Sequence, residues 1–146
     1  MVFIILGLVL IDQVIKFILL NTMNFYDTIT IVDNFFNIKL VKNTGAAFSF
    51  LESNNTVLII ITLLILSIII YLIVKDKFNH YEKIVISIIM GGIIGNLIDR
   101  IIYGGVIDYL SFKLFNSYMP IFNFADIVIV LGTILLGYFI IREELW

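Results

Sequence analysis

At 146 residues, 62% of them hydrophobic and with a mean hydropathy of +1.14, the chain has too little polar surface to cover a soluble globule and reads as one integral membrane domain. Nine Lys and Arg against eleven Asp and Glu leave a net charge of -2, small and scattered, which excludes a nucleic-acid partner. With no cysteine, disulfides, thiol catalysis and thiolate metal sites are excluded as well.

Residues 2–20 are long enough to cross a bilayer, yet they contain Asp12 and Lys16. Neither a basic lead nor a small-residue cleavage site marks them as a removed leader, so they are expected to remain as the first span. Asp12 and Lys16 stand four apart with the acid first, the favourable order for a pair on one helix. Such a pair either neutralises itself in the bundle or reaches the loop that covers a site. Residues 21–54 are polar enough to lie outside the membrane. There Ile29 and Ile31 alternate with Thr28 and Thr30, Asp33 and Asn34 supply a turn, and Phe36, Ile38 and Leu40 alternate with Asn37 and Lys39, which predicts a short hairpin. Asn43-Thr44-Gly45-Ala46-Ala47-Phe48 follows, a small-residue run that is either a tight re-entry turn or a backbone able to approach an extended peptide.

The second span, 55–74, is almost uninterrupted apolar sequence. Residues 75–83 (KDKFNHYEK) form a charged loop that also holds the single histidine, His80, which is expected to be solvated. Three lysines there, with Arg142 past the last span, put this side and both termini in the cytoplasm. The third span, 84–102, carries Asn96, Asp99 and Arg100, groups that are costly near hydrocarbon and are expected to face the bundle as one cluster. Gly91 and Gly95 form a small-xxx-small pair that admits a close neighbour, and Gly104-Gly105 ends the helix. Residues 104–120 are expected as a second outer loop, with Phe112, Leu114, Phe115 and Tyr118 on the membrane surface as a short amphipathic piece. The fourth span covers 122–141, with Asn123 as a helix cap and Asp126 at the third helical position. The expected fold is thus an all-α membrane protein, a bundle of four transmembrane helices with a small extracytoplasmic β-hairpin or sheet.

This topology brings Asp108, after the third span, and Asp126, at the start of the fourth, to similar depth on the outer side. Two close carboxylates do not both ionise cheaply, so one keeps a proton while the other acts as a base on water. Asp12 has its lysine and Asp99 has Arg100 and Asn96 nearby, which suits them to holding geometry. A small proton-coupled transporter is the alternative, but it calls for midplane groups and repeated halves, and neither is apparent. Ser111 and Lys113 stand two apart, a spacing that does not share a helix face for a Ser-Lys dyad.

Five segments in this order resemble the bacterial lipoprotein signal peptidases (signal peptidase II) over nearly the whole chain. They are Asp12-Gln13-Val14-Ile15-Lys16, Asn43 to Phe48, Gly95-Asn96-Leu97-Ile98-Asp99-Arg100, Val106-Ile107-Asp108-Tyr109 and Phe122-Asn123-Phe124-Ala125-Asp126. The resemblance implies a membrane aspartic endopeptidase whose dyad is Asp108 and Asp126. Asp12, Lys16, Asn43, Gly45, Ala47, Asn96, Asp99, Arg100 and Asn123 would bind substrate or support the site. It implies removal of signal peptides from prolipoproteins carrying a diacylglyceryl cysteine, cut on the N-terminal side of that cysteine, with membrane lipid as surroundings; the candidates being carboxylates without histidine, no metal or cofactor is expected. Ile15 stands where the family usually has a hydroxyl residue, so no polar role is expected there.

Overall fold

The computed structural model describes residues 1–45, 54–115 and 117–144. Four helices, α1 (Val2–Thr22), α2 (Asn55–Val74), α3 (His80–Tyr103) and α4 (Phe124–Glu144), are each long and apolar enough to cross a membrane. More than half of the α3 span is buried, against 17% or less for the other three, so α3 is the axis on which α1, α2 and α4 pack. That explains why the least hydrophobic span is α3: its polar side chains face protein rather than lipid. The helix starts at His80, earlier than the charged stretch suggests, because Asn79 and Glu82 form a capping box. At its other end Gly104, with φ 73°, takes the left-handed cap position.

Glycines on α3 set how closely its neighbours approach. A Cβ on Gly91 would stand 2.9 Å from Leu8 Cβ, one on Gly95 2.6 Å from Asp12 Oδ2, and one on Gly92 2.6 Å from the Ala125 carbonyl oxygen. Gly91 and Gly95 therefore seat α1, and Gly92 seats the first turn of α4. Gly92→Ala is expected to cost about 1–3 kcal/mol through the forced separation of α3 and α4. The check is the thermal unfolding midpoint in detergent, and an unchanged midpoint would remove this close approach from the account.

At the end of the bundle where α1 stops and α4 begins lies an antiparallel sheet of order β1-β2-β3-β4, made of β1 (Thr28–Val32), β2 (Phe36–Asn43), β3 (Val106–Leu114) and β4 (Ser117–Tyr118). The hairpin lies where the alternation predicts it, and Asn34 turns it with φ 57°. The second outer loop is the correction: most of it is β3, which pairs Asn43 with Val106, Val41 with Asp108 and Ile38 with Leu110. Phe112 accordingly does not lie on a membrane surface but stacks between Phe36 and Phe122, at 4.6 and 5.7 Å. Leu114, Phe115 and Tyr118 are exposed. Beneath the sheet, Met23, Leu40, Ile107 and Tyr109 form a buried cluster with Ile15, Leu19 and Phe124, tying β3 to the ends of α1 and α4.

Candidate active site

Along β3, Ile107 and Tyr109 enter that core, so Asp108 between them points to the opposite face, as strand alternation requires. It is 2% exposed and accepts two amide donors, Asn123 Nδ2 at 2.7 Å and Asn43 Nδ2 at 3.0 Å. Asp126 is the third residue of α4 and caps it reciprocally with Asn123. The Asn123 N–H donates to Asp126 Oδ2 at 3.1 Å, and the Asp126 N–H donates to Asn123 Oδ1 at 3.0 Å. Capping thus holds the Asp126 carboxylate in place beside Asp108, with Asn123 between them: its main-chain N–H bonds the Asp126 carboxylate and its Nδ2 the Asp108 carboxylate. Both carboxylates line one cavity of about 270 Å³, together with Asn43, Gly45, Asn96, Arg100 and Phe122.

The polar residues of α3 divide into two groups rather than the single cluster expected. Asn96 and Arg100 face the cavity; Asp99 faces α1, where its partner is not Arg100 but Lys16, at 2.6 Å. Lys16 also bonds Asp12 at 2.8 Å, so one buried cation serves two buried carboxylates. Gln13 Nε2 closes the same cluster by donating to Asp99 Oδ1 at 2.9 Å and the Gly95 carbonyl at 3.1 Å. Among the described residues, Asp12 and Lys16 reach α3 and α4, where Asp12 Oδ1 accepts the Ala125 N–H at 3.2 Å. With Tyr109 hydroxyl accepting the Phe124 N–H at 3.1 Å, the first three amides of α4 are met by side chains from β3, from α1 and from the cap residue Asn123.

Asn96 joins the two groups. Its Oδ1 receives Lys16 Nζ and Asn123 Nδ2, each at 3.1 Å, which forces its Nδ2 toward Asp126 Oδ1, at 2.8 Å. Gly45 donates its N–H to Asn43 Oδ1 at 3.0 Å, and its carbonyl accepts Arg100 Nη2 at 3.0 Å. Arg100 Nη1 is buried without a partner among the described residues. Ala47, with Ala46 and Phe48, lies outside the described residues. Gln13, Tyr109 and Asn55 are contributors that sequence reasoning left without a role; Gln13 announces itself only as a polar residue inside a span, one position from Asp12.

Burial pushes the Asp108 carboxyl up to about 6 from 3.8, with the Asp126 carboxylate adding to the rise and the Asn43 and Asn123 amides opposing it. Because the folded value lies above the unfolded one, Asp108 contributes its full stability below about pH 4 and loses it as pH rises through about 6. Asp108→Asn, which does not titrate, is therefore expected to gain on the wild type by about 2–3 kcal/mol between pH 4 and pH 8. Thermal melts across that range read the difference, and a pH-independent gap would contradict the burial of this carboxyl.

A family model described as signal peptidase (SPase) II matches residues 4–142. Lipoprotein signal peptidases of Staphylococcus aureus, strains JH9 and Newman, are each 38% identical over 129 residues, covering 88% of this chain and 79% of the relative. Two solved structures described as bacterial membrane enzymes, determined in meso at 2.3 and 1.9 Å, share 34% identity with it. The first aligns with a TM-score of 0.88 over 98% of this chain and 88% of its own, and the second with 0.85 over 97% and 92%.

Proposed function

The chain belongs to the signal peptidase II family, multi-pass bacterial membrane proteases that remove signal peptides from lipoproteins, and from that premise we propose that Asp108 and Asp126 form its catalytic dyad. The observation that carries this is the shared cavity in which one asparagine, Asn123, bridges the two carboxylates. One carboxyl of the pair holds the proton and the other acts as base, and the burial that raises Asp108 supports casting it as the acid and Asp126 as the base. A water between them gives a proton to Asp126 and adds to the scissile carbonyl carbon, while Asp108 protonates the carbonyl oxygen. The resulting gem-diol collapses as Asp126 passes its proton to the amide nitrogen, the C–N bond breaks, and a hydroxyl proton returns to Asp108. Arg100 Nη1, buried and unpartnered at the cavity wall, is the donor available to a substrate carbonyl. Asn43, Asn96 and Asn123 orient the carboxylates, and Asp12, Lys16, Asp99 and Gly45 hold the frame around them.

The substrate in this reading is a prolipoprotein whose cysteine bears a diacylglyceryl group, cut on the N-terminal side of that cysteine. An apolar groove of about 400 Å³ adjoins the cavity, sharing Phe122 and Asp126 with it and lined otherwise by Met119, Ile127, Val130 and Leu131. Apolar chains at the cleavage point suit that groove. In this reading both termini are cytoplasmic and the dyad lies near the extracytoplasmic face, which is supported by Lys75, Lys77, Lys83 and Arg142 at the opposite end of the bundle. The test is incubation of the purified protein with two precursors, one with the diacylglyceryl cysteine and one with free cysteine, and mass measurement of the released peptide. Cleavage of the lipidated precursor alone, ending one residue before the cysteine, is expected; equal cleavage of both, or a cut elsewhere, would overturn the substrate assignment.

A further inference from the structure

Two buried polar atoms among the described residues have no hydrogen-bond partner: Arg100 Nη1, and Oδ1 of Asn55, whose amide bonds the Arg100 main chain. Asn55 opens α2, and its Nδ2 donates to the Arg100 main-chain carbonyl at 2.8 Å. That bond fixes the amide, because the flipped form would set Oδ1 against a carbonyl oxygen. Arg100 thus pins both ends of the connection between β2 and α2: its guanidinium holds the Gly45 carbonyl, and its own carbonyl holds Asn55. Tethering α2 to α3 needs only Nδ2. It leaves unexplained why an acceptor is kept buried and unmet, a costly state unless a ligand completes it.

One unmet donor, on a residue that lines the cavity holding Asp108 and Asp126, and one unmet acceptor, on the residue bonded to its main chain, match the two groups that every peptide unit offers. We propose that Asn55 is a substrate-binding residue: its Oδ1 accepts a main-chain N–H of the precursor while Arg100 Nη1 donates to a main-chain carbonyl next to it. The peptide is thereby held extended across the cavity by its backbone, which leaves its side chains free to vary. This inference rests on the peptidase reading.

The test uses the full-length enzyme and a series of lipidated precursor peptides, each N-methylated at one main-chain nitrogen near the scissile bond. On the unmethylated peptide, Asn55→Ala is expected to raise KM about tenfold with kcat little changed. On one member of the series the wild type loses a similar factor, and Asn55→Ala loses nothing more, since both changes remove the same bond. A merely structural Asn55 would multiply every member's loss alike, and that result, or no loss at all, would overturn the proposal. Asn55→Gln keeps both an NH2 for the Arg100 carbonyl and an amide oxygen, is expected to retain the coupling, and serves as the second variant should alanine impair folding. If the wild type leaves the unmethylated peptide uncut, the peptidase reading fails and this inference with it; if only the Asn55 variants behave like wild type, this inference alone fails.

Discussion

Asp108→Asn and Asp126→Asn are each expected to lower kcat/KM by about a thousandfold or more, with the double variant scarcely worse than either single one. The non-additivity follows from the chemistry: a pair that shares one proton works as a unit, and losing either member removes both the base and its acid. The structure also indicates what each substitution does to its surroundings. Asn43 cannot turn its amide, because its Oδ1 takes the Gly45 N–H, and Asn123 cannot, because its Oδ1 takes the Asp126 N–H. Asn at position 108 must therefore set its own NH2 against one of two fixed donors and give up one hydrogen bond, while shedding a buried charge. Asn at 126 keeps an oxygen for the Asn123 N–H or for Asn96, but not for both. Neither change empties space or strands a charge, so both variants are expected to fold, and the loss is read as catalytic. Full activity in either one would dismiss the dyad.

Lys16→Met is expected to have the largest effect on the fold. Nζ of Lys16 lies 2.8 Å from Asp12 and 2.6 Å from Asp99, and all three side chains are almost wholly buried. Removing the cation leaves two carboxylates facing each other without compensation, at a cost of about 3–5 kcal/mol. It also frees Asn96 Oδ1, so the amide that points at Asp126 is no longer held from behind. The expected outcome is poor accumulation and early unfolding in detergent. Adding Asp12→Asn and Asp99→Asn to Lys16→Met should recover much of the stability, because buried neutral groups replace unpaired charges. If Lys16→Met alone melts like the wild type, the buried ion cluster carries no weight in the fold.

Much of this arrangement is legible in the residues. Apolar runs of span length fix α1, α2 and α4, and alternation with an Asn turn fixes the first hairpin, because these are local signals. The cap formed by Asn123 and Asp126 is local too, and the same geometry sets Asp126 at the cavity. What escapes is set by partners far along the chain. Val106 to Leu114 becomes a strand because β2 is there to pair with it, although Leu110, Phe112 and Leu114 alternating with Ser111 and Lys113 hold a readable trace. Asp99 lies next to Arg100 in sequence but bonds Lys16, since adjacent helical residues point in different directions. Asn55 carries no signal at all: its importance appears only when a buried oxygen is found without a donor.

In the proposed reaction Asp108 and Asp126 together embrace a tetrahedral species between them. A lipidated peptide in which the scissile carbonyl is replaced by a secondary hydroxyl carbon imitates that species, and its binding can be measured without turnover. The wild type is expected to bind it about a hundredfold or more tightly than the parent peptide, and Asp108→Asn and Asp126→Asn are each expected to lose that advantage while binding the parent peptide as before. Equal affinity for the hydroxyl analogue in wild type and both variants would contradict the account.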